Sequence, residues 1–202
     1  MNVYDFDKTI YRNDSTRDFY LYCIKRYPGV LIYAPSAILA ALKYCLKIYT
    51  KTEMKEVFYR FLNAVPNVDS EVKAFWKKHK SGIHQWYKNN RKDTDIIISA
   101  SPEFLLKDFC ESELGVTLLA SRVDKLTGEY TGENCYGEEK VVRFYEYINK
   151  PYVSSDTPLD APVIDNFYSD SLSDTPLARL STRAFLVNGE NLTPWMSFSS
   201  GK

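Results

Sequence analysis

The order of apolar and polar positions divides this chain into one short strand, a long helical stretch, and a run in which strands and helices alternate. Val3 and Tyr4 open a strand that ends near Asp5. Residues 15–92 then read as helix only. Within them Met54, Val57, Phe58, Phe61, Leu62 and Val65 recur at three- and four-residue spacings, the period of an amphipathic helix with an apolar core face. Thr50 with Glu53 resembles a capping box at its start, and residues 69–90 predict a further helix.

After Asp93 the pattern changes. DIIIS at 95–99 is a short β-branched run of the kind buried in a parallel sheet. Ser101–Pro102 reads as an N-cap and first helical residue, opening a helix that Gly115 closes. VTLLAS (116–121) predicts another strand, GEYTGEN a turn-rich excursion, EEKVVRFYEYINK (138–150) a helix, and PVIDNFYSD (162–170) a strand. RAFLVN (183–188) predicts the last strand. Such alternation predicts a parallel α/β sheet of Rossmann-like type flanked by helices. About 85 mostly helical residues separate the first two strands, far more than an ordinary connection needs. The expected organisation is a catalytic core of residues 1–14 and 93–202, with an all-helical cap inserted at 15–92.

One segment, VLIYAPSAILAAL at 30–42, is apolar enough to raise the question of a membrane. It falls short of the roughly 20 residues that span a bilayer, Pro35 interrupts it, and Lys43 and Lys47 follow. Packing within the cap core is the expectation; an interfacial helix over residues 30–49, giving peripheral membrane contact, is the alternative.

Composition narrows the classes further. In the 202-residue chain Lys plus Arg equals Asp plus Glu, at 26 each. That balance, with no basic stripe, gives no electrostatic case for nucleic acid. The four cysteines form no CxxC pair and there are two histidines, His79 and His84, so a zinc cluster is not expected. Reduced thiols and the lack of a leader-like opening predict a cytoplasmic protein.

The chemistry lies at the strand ends. In open α/β sheets, ligands bind beyond the carboxyl ends of the strands. There the chain places Asp5, Asp7 and Thr9 after the first strand, Ser99 at the end of the second, and Asp170 and Asp174 after the strand at 162–170; Lys140 opens the preceding helix. Clustered carboxylates repel and suit a hard cation such as Mg²⁺, which takes few protein oxygens and leaves room for substrate phosphate. Lysine and hydroxyl groups suit phosphate oxygens, and an aspartate can act as a nucleophile.

These residues resemble a known family. DFDKT at 5–9 matches the DxDxT signature of haloacid dehalogenase-like phosphohydrolases. Ser99, Lys140 in GEEK and DSLSD at 170–174 match their second, third and fourth motifs. The inserted helices resemble the helical-cap branch that includes phosphoserine phosphatase. The resemblance implies that Asp5 attacks phosphorus and carries an aspartyl-phosphate, and that Asp7 protonates the leaving oxygen and then activates water. It implies Mg²⁺ held by Asp5, the Asp7 carbonyl and Asp170 with support from Asp174, Ser99 and Lys140 on the phosphoryl group, and Thr9 bracing the loop. Asp14, Ser99-Ala-Ser-Pro and SDSLSD depart from the phosphoserine phosphatase pattern. They look more like helical-cap phosphatases that include phosphatidylglycerophosphate phosphatases, so the expected substrate is a small or lipid-linked phosphate ester. A phosphotransferase and a non-catalytic phospho-ligand binder are the rival readings. Ser101 is expected to serve as a cap, and the two histidines carry no expected chemistry.

Overall fold

The computed structural model describes residues 1–150 and 164–195; Pro162 and Val163 of the expected fourth strand lie outside them. The strands are β1 (Asn2–Tyr4), β2 (Ile96–Pro102), β3 (Thr117–Ser121), β4 (Ile164–Ser169), β5 (Ser181–Asn188) and β6 (Asn191–Pro194). They form one sheet in the order β3-β2-β1-β4-β5-β6, parallel throughout except for the antiparallel β5–β6 pair. The helices are α1 (Ser15–Arg26), α2 (Ala34–Cys45), α3 (Lys51–Tyr59), α4 (Val68–His79), α5 (Gln85–Asn90), α6 (Glu103–Asp108), α7 (Glu138–Tyr147) and α8 (Thr175–Ala178). The α/β class read from the pattern is the class observed.

Period-two alternation explains why both faces of the sheet are covered. Val3, Ile96 and Ile98 point to one side, where they meet Val141 and Phe144 of α7 and Leu177 of α8. Tyr4 and Ile97 point to the other, where they join Phe75 and Trp76 of α4 and Leu105 and Leu106 of α6. Helices α1 to α5 all fall between β1 and β2. Their buried residues, among them Phe19, Phe61 and Leu62, are continuous with that second cluster, so the inserted helices share a core with the sheet face they rest on.

Several elements differ from expectation. The helix predicted over 69–90 is broken: α4 ends at His79, a tight turn covers Lys80–Gly82, and α5 begins at Gln85. The break lets the chain run alongside the loop after β1. Arg12 N donates to Gly82 O at 3.0 Å, and a side chain on Gly82 would meet the Tyr11 ring at 2.5 Å. The helix at Thr50 has its capping box, but α3 stops at Tyr59 and a tight turn follows. Tyr59, Phe61, Leu62 and Val65 are core, whereas Met54 and Phe58 are only part-buried. Ser101 and Pro102 are not a helix start. They continue β2 past a register shift between Ser99 and Pro102, and α6 begins at Glu103. After β5 the chain turns through Gly189 (φ +62°) and Glu190 into β6, a two-residue hairpin whose first central position takes the positive φ that glycine allows.

The apolar segment overturns the cap-core expectation. Pro35 sits in the first turn of α2, where proline is tolerated. Pro28–Cys45 therefore forms an 18-residue helical stretch with mean hydropathy 1.3, long and apolar enough to cross a membrane by length and composition. Its apolar side chains are largely outside: Ile32 is 78% exposed and Leu46, just beyond, 70%. Within it only Val30 and Ala40 are buried. Hydropathy records a preference to leave water and does not say for what surroundings.

Candidate active site

The loop after β1 is built around Phe6. Its side chain is fully buried and its carbonyl accepts from Thr9 N, Ile10 N and Tyr11 N at 3.3, 3.1 and 3.0 Å. Lys8 takes the left-handed conformation, φ +57°, that so tight a loop requires. Asp5 N still donates to Tyr168 O at 2.9 Å, extending the β1–β4 ladder by one bond. Asp5 and Asp7 thus both border one cavity of about 420 Å³.

Lys140, in the first turn of α7, is 2% exposed and spans two carboxylates. Its Nζ donates to Asp5 Oδ1 and to Asp174 Oδ2, each at 2.6 Å. Asp174 Oδ2 also accepts from Ser169 Oγ at 2.7 Å, so Asp174 stands behind the lysine and orients it rather than capping α8. Thr9 Oγ1 links two loops: it donates to Asp5 Oδ2 at 3.4 Å and accepts from Asp170 N at 2.9 Å. Ser99 is buried at the cavity edge, its Oγ accepting from Ser101 N at 3.1 Å. The cavity wall therefore contains every sequence-picked site residue except Thr9, which lies just behind it.

Burial raises both leading aspartates, Asp5 to about 7 and Asp7 to about 6, and they differ in their partners. Burial raises the Asp5 carboxyl; the Lys140 ammonium pulls it down, and Asp174 and Asp7 push it up again. Burial alone would lower the Lys140 ammonium, but Asp5 and Asp174 overcome this and hold it protonated. Asp7 has no such cation against it. Burial, then Asp14, pushes it up to about 6, opposed by hydrogen bonds from Ser101 and Ser15. Burial likewise raises Asp170, with Lys8 opposing.

The opposite wall comes from the inserted helices: Arg17 and Tyr20 of α1, and Lys51, Met54, Lys55 and Phe58 of α3. Two of these lysines reach across to the core. Lys55 Nζ donates to Ala100 O at 2.9 Å and Asn134 Oδ1 at 3.3 Å, and Lys51 Nζ lies 3.4 Å from the centre of the Tyr136 ring. Burial and the neighbouring Lys51 lower the Lys55 amine to about 8.

Sequence reasoning missed Lys55 and took Ser101 for a cap. Ser101 Oγ is hydrogen-bonded to Asp7 Oδ2, while Asp7 Oδ1 accepts from Ser15 N at 2.6 Å. No local signal marks either residue, because both reach the site through contacts between the inserted helices and the sheet. His79 and His84 lie outside the cavity wall; His84 Nδ1 is 2.7 Å from Glu190 Oε1.

The donor set suits a hard cation. Among the described residues no three carboxylate, imidazole or thiol groups form a ready-made cage. Asp5, the Asp7 carbonyl and Asp170 nonetheless offer oxygens alone, and Mg²⁺ is held by one or two carboxylates with water and substrate phosphate completing its shell. Asp5 and Asp170 stay raised by burial despite Lys140 and Lys8, and a cation between them would favour their ionised forms.

A parallel sheet whose leading strand ends in an acidic pair, answered by a buried lysine and a second acidic loop, defines a hydrolase of the phosphatase type. The model of the haloacid dehalogenase-like hydrolase family matches residues 3–179, and the chain belongs to that family. A histidinol-phosphatase of Neisseria meningitidis serogroup C (strain 8013) is 23% identical over 212 residues, covering 92% of this chain and 89% of the relative. Among solved structures, a protein of unknown function from Bordetella pertussis Tohama I aligns with TM-score 0.68 and 18% identity, over 91% of this chain and 87% of that one. A phosphoserine phosphatase, solved as a phospho-aspartyl intermediate analogue, aligns with TM-score 0.51 and 16% identity, over 90% and 83%. At these identities the structural likeness speaks for the fold.

Proposed function

We propose that the protein is a Mg²⁺-dependent phosphomonoester hydrolase that works through an aspartyl-phosphate on Asp5. The observation that carries this is the unequal pair. Both carboxyls are raised by burial, but their partners differ: Lys140 Nζ lies 2.6 Å from Asp5 and draws it back toward the ionised form a nucleophile needs, whereas Asp7, held by Ser15 N and Ser101 Oγ and pushed up to about 6, is suited to exchange a proton near neutrality. An Asp5 carboxylate oxygen attacks phosphorus, the bond to the ester oxygen breaks, and Asp7 gives that oxygen its proton. Asp7 then takes a proton from the water that attacks the phospho-aspartate, releasing phosphate and restoring Asp5. Ser99 and the Lys140 ammonium hold the phosphoryl oxygens. Asp5, the Asp7 carbonyl and Asp170 would hold Mg²⁺, which supplies positive charge against the transferring group. The test is release of phosphate from p-nitrophenyl phosphate by the wild type and by Asp5→Asn. Equal turnover by the two would remove Asp5 as nucleophile and the reading with it.

A second observation favours a lipid-linked ester as the substrate of this site. Leu31, Ile32, Ile38, Leu39, Leu42, Leu46 and Ile48 form an exposed apolar ridge, with Lys43 and Lys47 beside it. The ridge runs along α2 and the turns on either side of it, and α2 packs against α3, the helix whose Met54 and Phe58 line the cavity. An amphipathic surface of this kind suits the headgroup region of an anionic bilayer. Wild type should sediment with phosphatidylglycerol vesicles at low salt and Ile38→Glu/Leu42→Glu should not. Wild type staying wholly in the supernatant would refute this reading and leave the phosphatase proposal standing.

A further inference from the structure

Asp7 must release a proton and later accept one, so its geometry and the stability of its anion govern how well it serves. Two donors bracket its carboxyl group. Ser15 N, at the start of α1, donates to Oδ1 at 2.6 Å, and Ser101 Oγ, on β2, is bonded to Oδ2. Ser101 is itself held on several sides. Its N–H donates to Ser99 Oγ at 3.1 Å, Ser15 Oγ donates to Ser101 Oγ at 3.3 Å, and Thr16 Oγ1 lies 3.3 Å from the same atom. Ser15 and Ser101 are buried. Hydroxyls that fill the lone pairs of Ser101 direct its own proton toward Asp7 and polarise it.

We infer that Ser101, backed by the hydroxyls of Ser15 and Thr16, is a positioning residue for leaving-group protonation. The relay pins the Asp7 carboxyl and stabilises the anion that remains once its proton has passed to the ester oxygen. The inference rests on the reading of Asp7 as proton donor. As the bond from phosphorus to the ester oxygen breaks, Asp7 changes from acid to carboxylate. A hydrogen bond to a carboxylate is about twice as strong as one between neutral groups. The bond from Ser101 thus tightens during the step it assists, and what it contributes is differential stabilisation of the transition state. It matters most where the leaving oxygen is basic and cannot depart without a proton.

The experiment is kcat/KM for a series of aryl phosphates of rising phenol basicity, from p-nitrophenyl to phenyl phosphate, with wild type, Ser101→Ala, Ser101→Thr and Thr16→Val. kcat/KM reports the phosphoryl transfer to Asp5 and is blind to later hydrolysis. Ser101→Ala should lose about tenfold more on phenyl than on p-nitrophenyl phosphate, a share of the 10²–10⁴-fold typical of proton donors. Ser101→Thr should restore the wild-type slope, and the isosteric Thr16→Val should steepen it in the same direction by less. A parallel loss across the series in Ser101→Ala and Thr16→Val, or no loss, would overturn the inference. Absence of turnover by the wild type on every ester would instead overturn the phosphatase reading.

Discussion

Replacing Lys140 by methionine probes the centre of the site through stability as well as activity. The lysine is buried and donates two hydrogen bonds of 2.6 Å, to Asp5 and Asp174. Methionine fills much of the volume but leaves both carboxylates in a dry environment without a counter-charge. Removing one partner of a buried ion pair costs about 3–5 kcal/mol. In a domain of this size each kcal/mol moves Tm by roughly 2–4 °C, so the melting temperature should fall by about 6–20 °C.

The pH dependence carries the sharper test. Without the ammonium, burial and the neighbouring Asp174 raise Asp5 further above the ordinary carboxylate value. Folded Lys140→Met then retains a proton that its unfolded chain has released. Its stability is greatest in mild acid and falls as pH rises through the raised value. Lys140 in the wild type is held protonated far above this window and contributes no slope to it. The deficit between variant and wild type, read by denaturant melts in EDTA, should be smaller at pH 5 than at pH 8. Adding Asp174→Asn should recover part of it at pH 8. A deficit that is flat with pH, or below about 1 kcal/mol, would show that Lys140 does not neutralise these carboxylates and would refute the argument.

Three further outcomes follow from the same structure. Turnover of p-nitrophenyl phosphate should vanish in EDTA and return with added Mg²⁺; full turnover in chelator would remove the cation from the mechanism. The Lys55 amine is lowered to about 8 by burial and Lys51, so the wild type should gain stability as pH rises from about 8 toward the ordinary lysine value, because the folded state is the one that sheds the proton; Lys55→Met should lack that gain in thermal melts across the interval. Gly82→Ala would force a methyl group to 2.5 Å from the buried Tyr11 ring, and overpacking of this kind should cost about 1–3 kcal/mol in denaturant melts.

What the sequence disclosed about this site follows from how information is stored in an α/β sheet. A parallel strand buried on both faces is a short apolar run, and the residue that ends it stands at the ligand-binding rim. Asp5, Ser99 and Asp170 could therefore be picked by reading each run to its end, and Lys140 by its place in the helix before β4. Ser101 and Lys55 could not. Ser101 lies beyond a register shift in β2, where a Ser-Pro pair carries the local chemistry of a helix start. Lys55 looks like any charged residue on an amphipathic helix, and only the seating of α3 against Ala100 and Asn134 buries it. Exposure of the α2 ridge was hidden for a related reason, since apolar residues at helical spacing look the same whether they face a core, a bilayer or water.

The two walls of the cavity carry opposite charge, and this bears on how an ester is handled. Asp5, Asp7, Asp170 and Asp174 lie on the sheet side with Lys140 and Lys8 among them; Arg17, Lys51 and Lys55 lie on the helical side, with Asp14 at the head of α1. Lys51 and Lys55 are four residues apart on one helix, a like-charge spacing that is unfavourable until an anion approaches. The helical wall can thus attract a phosphate ester as it stands. On the proposed mechanism the acidic wall receives the transferring group only once positive charge is added beyond that of Lys140 and Lys8, because two ammonium groups stand against four carboxylates. Chelation and Lys140→Met remove different parts of that positive charge, so the metal requirement and the pH slope of the variant should fail or hold independently. If EDTA left turnover intact while Lys140→Met showed the slope, the lysines alone would balance the site and the donor-set argument for a cation would fall.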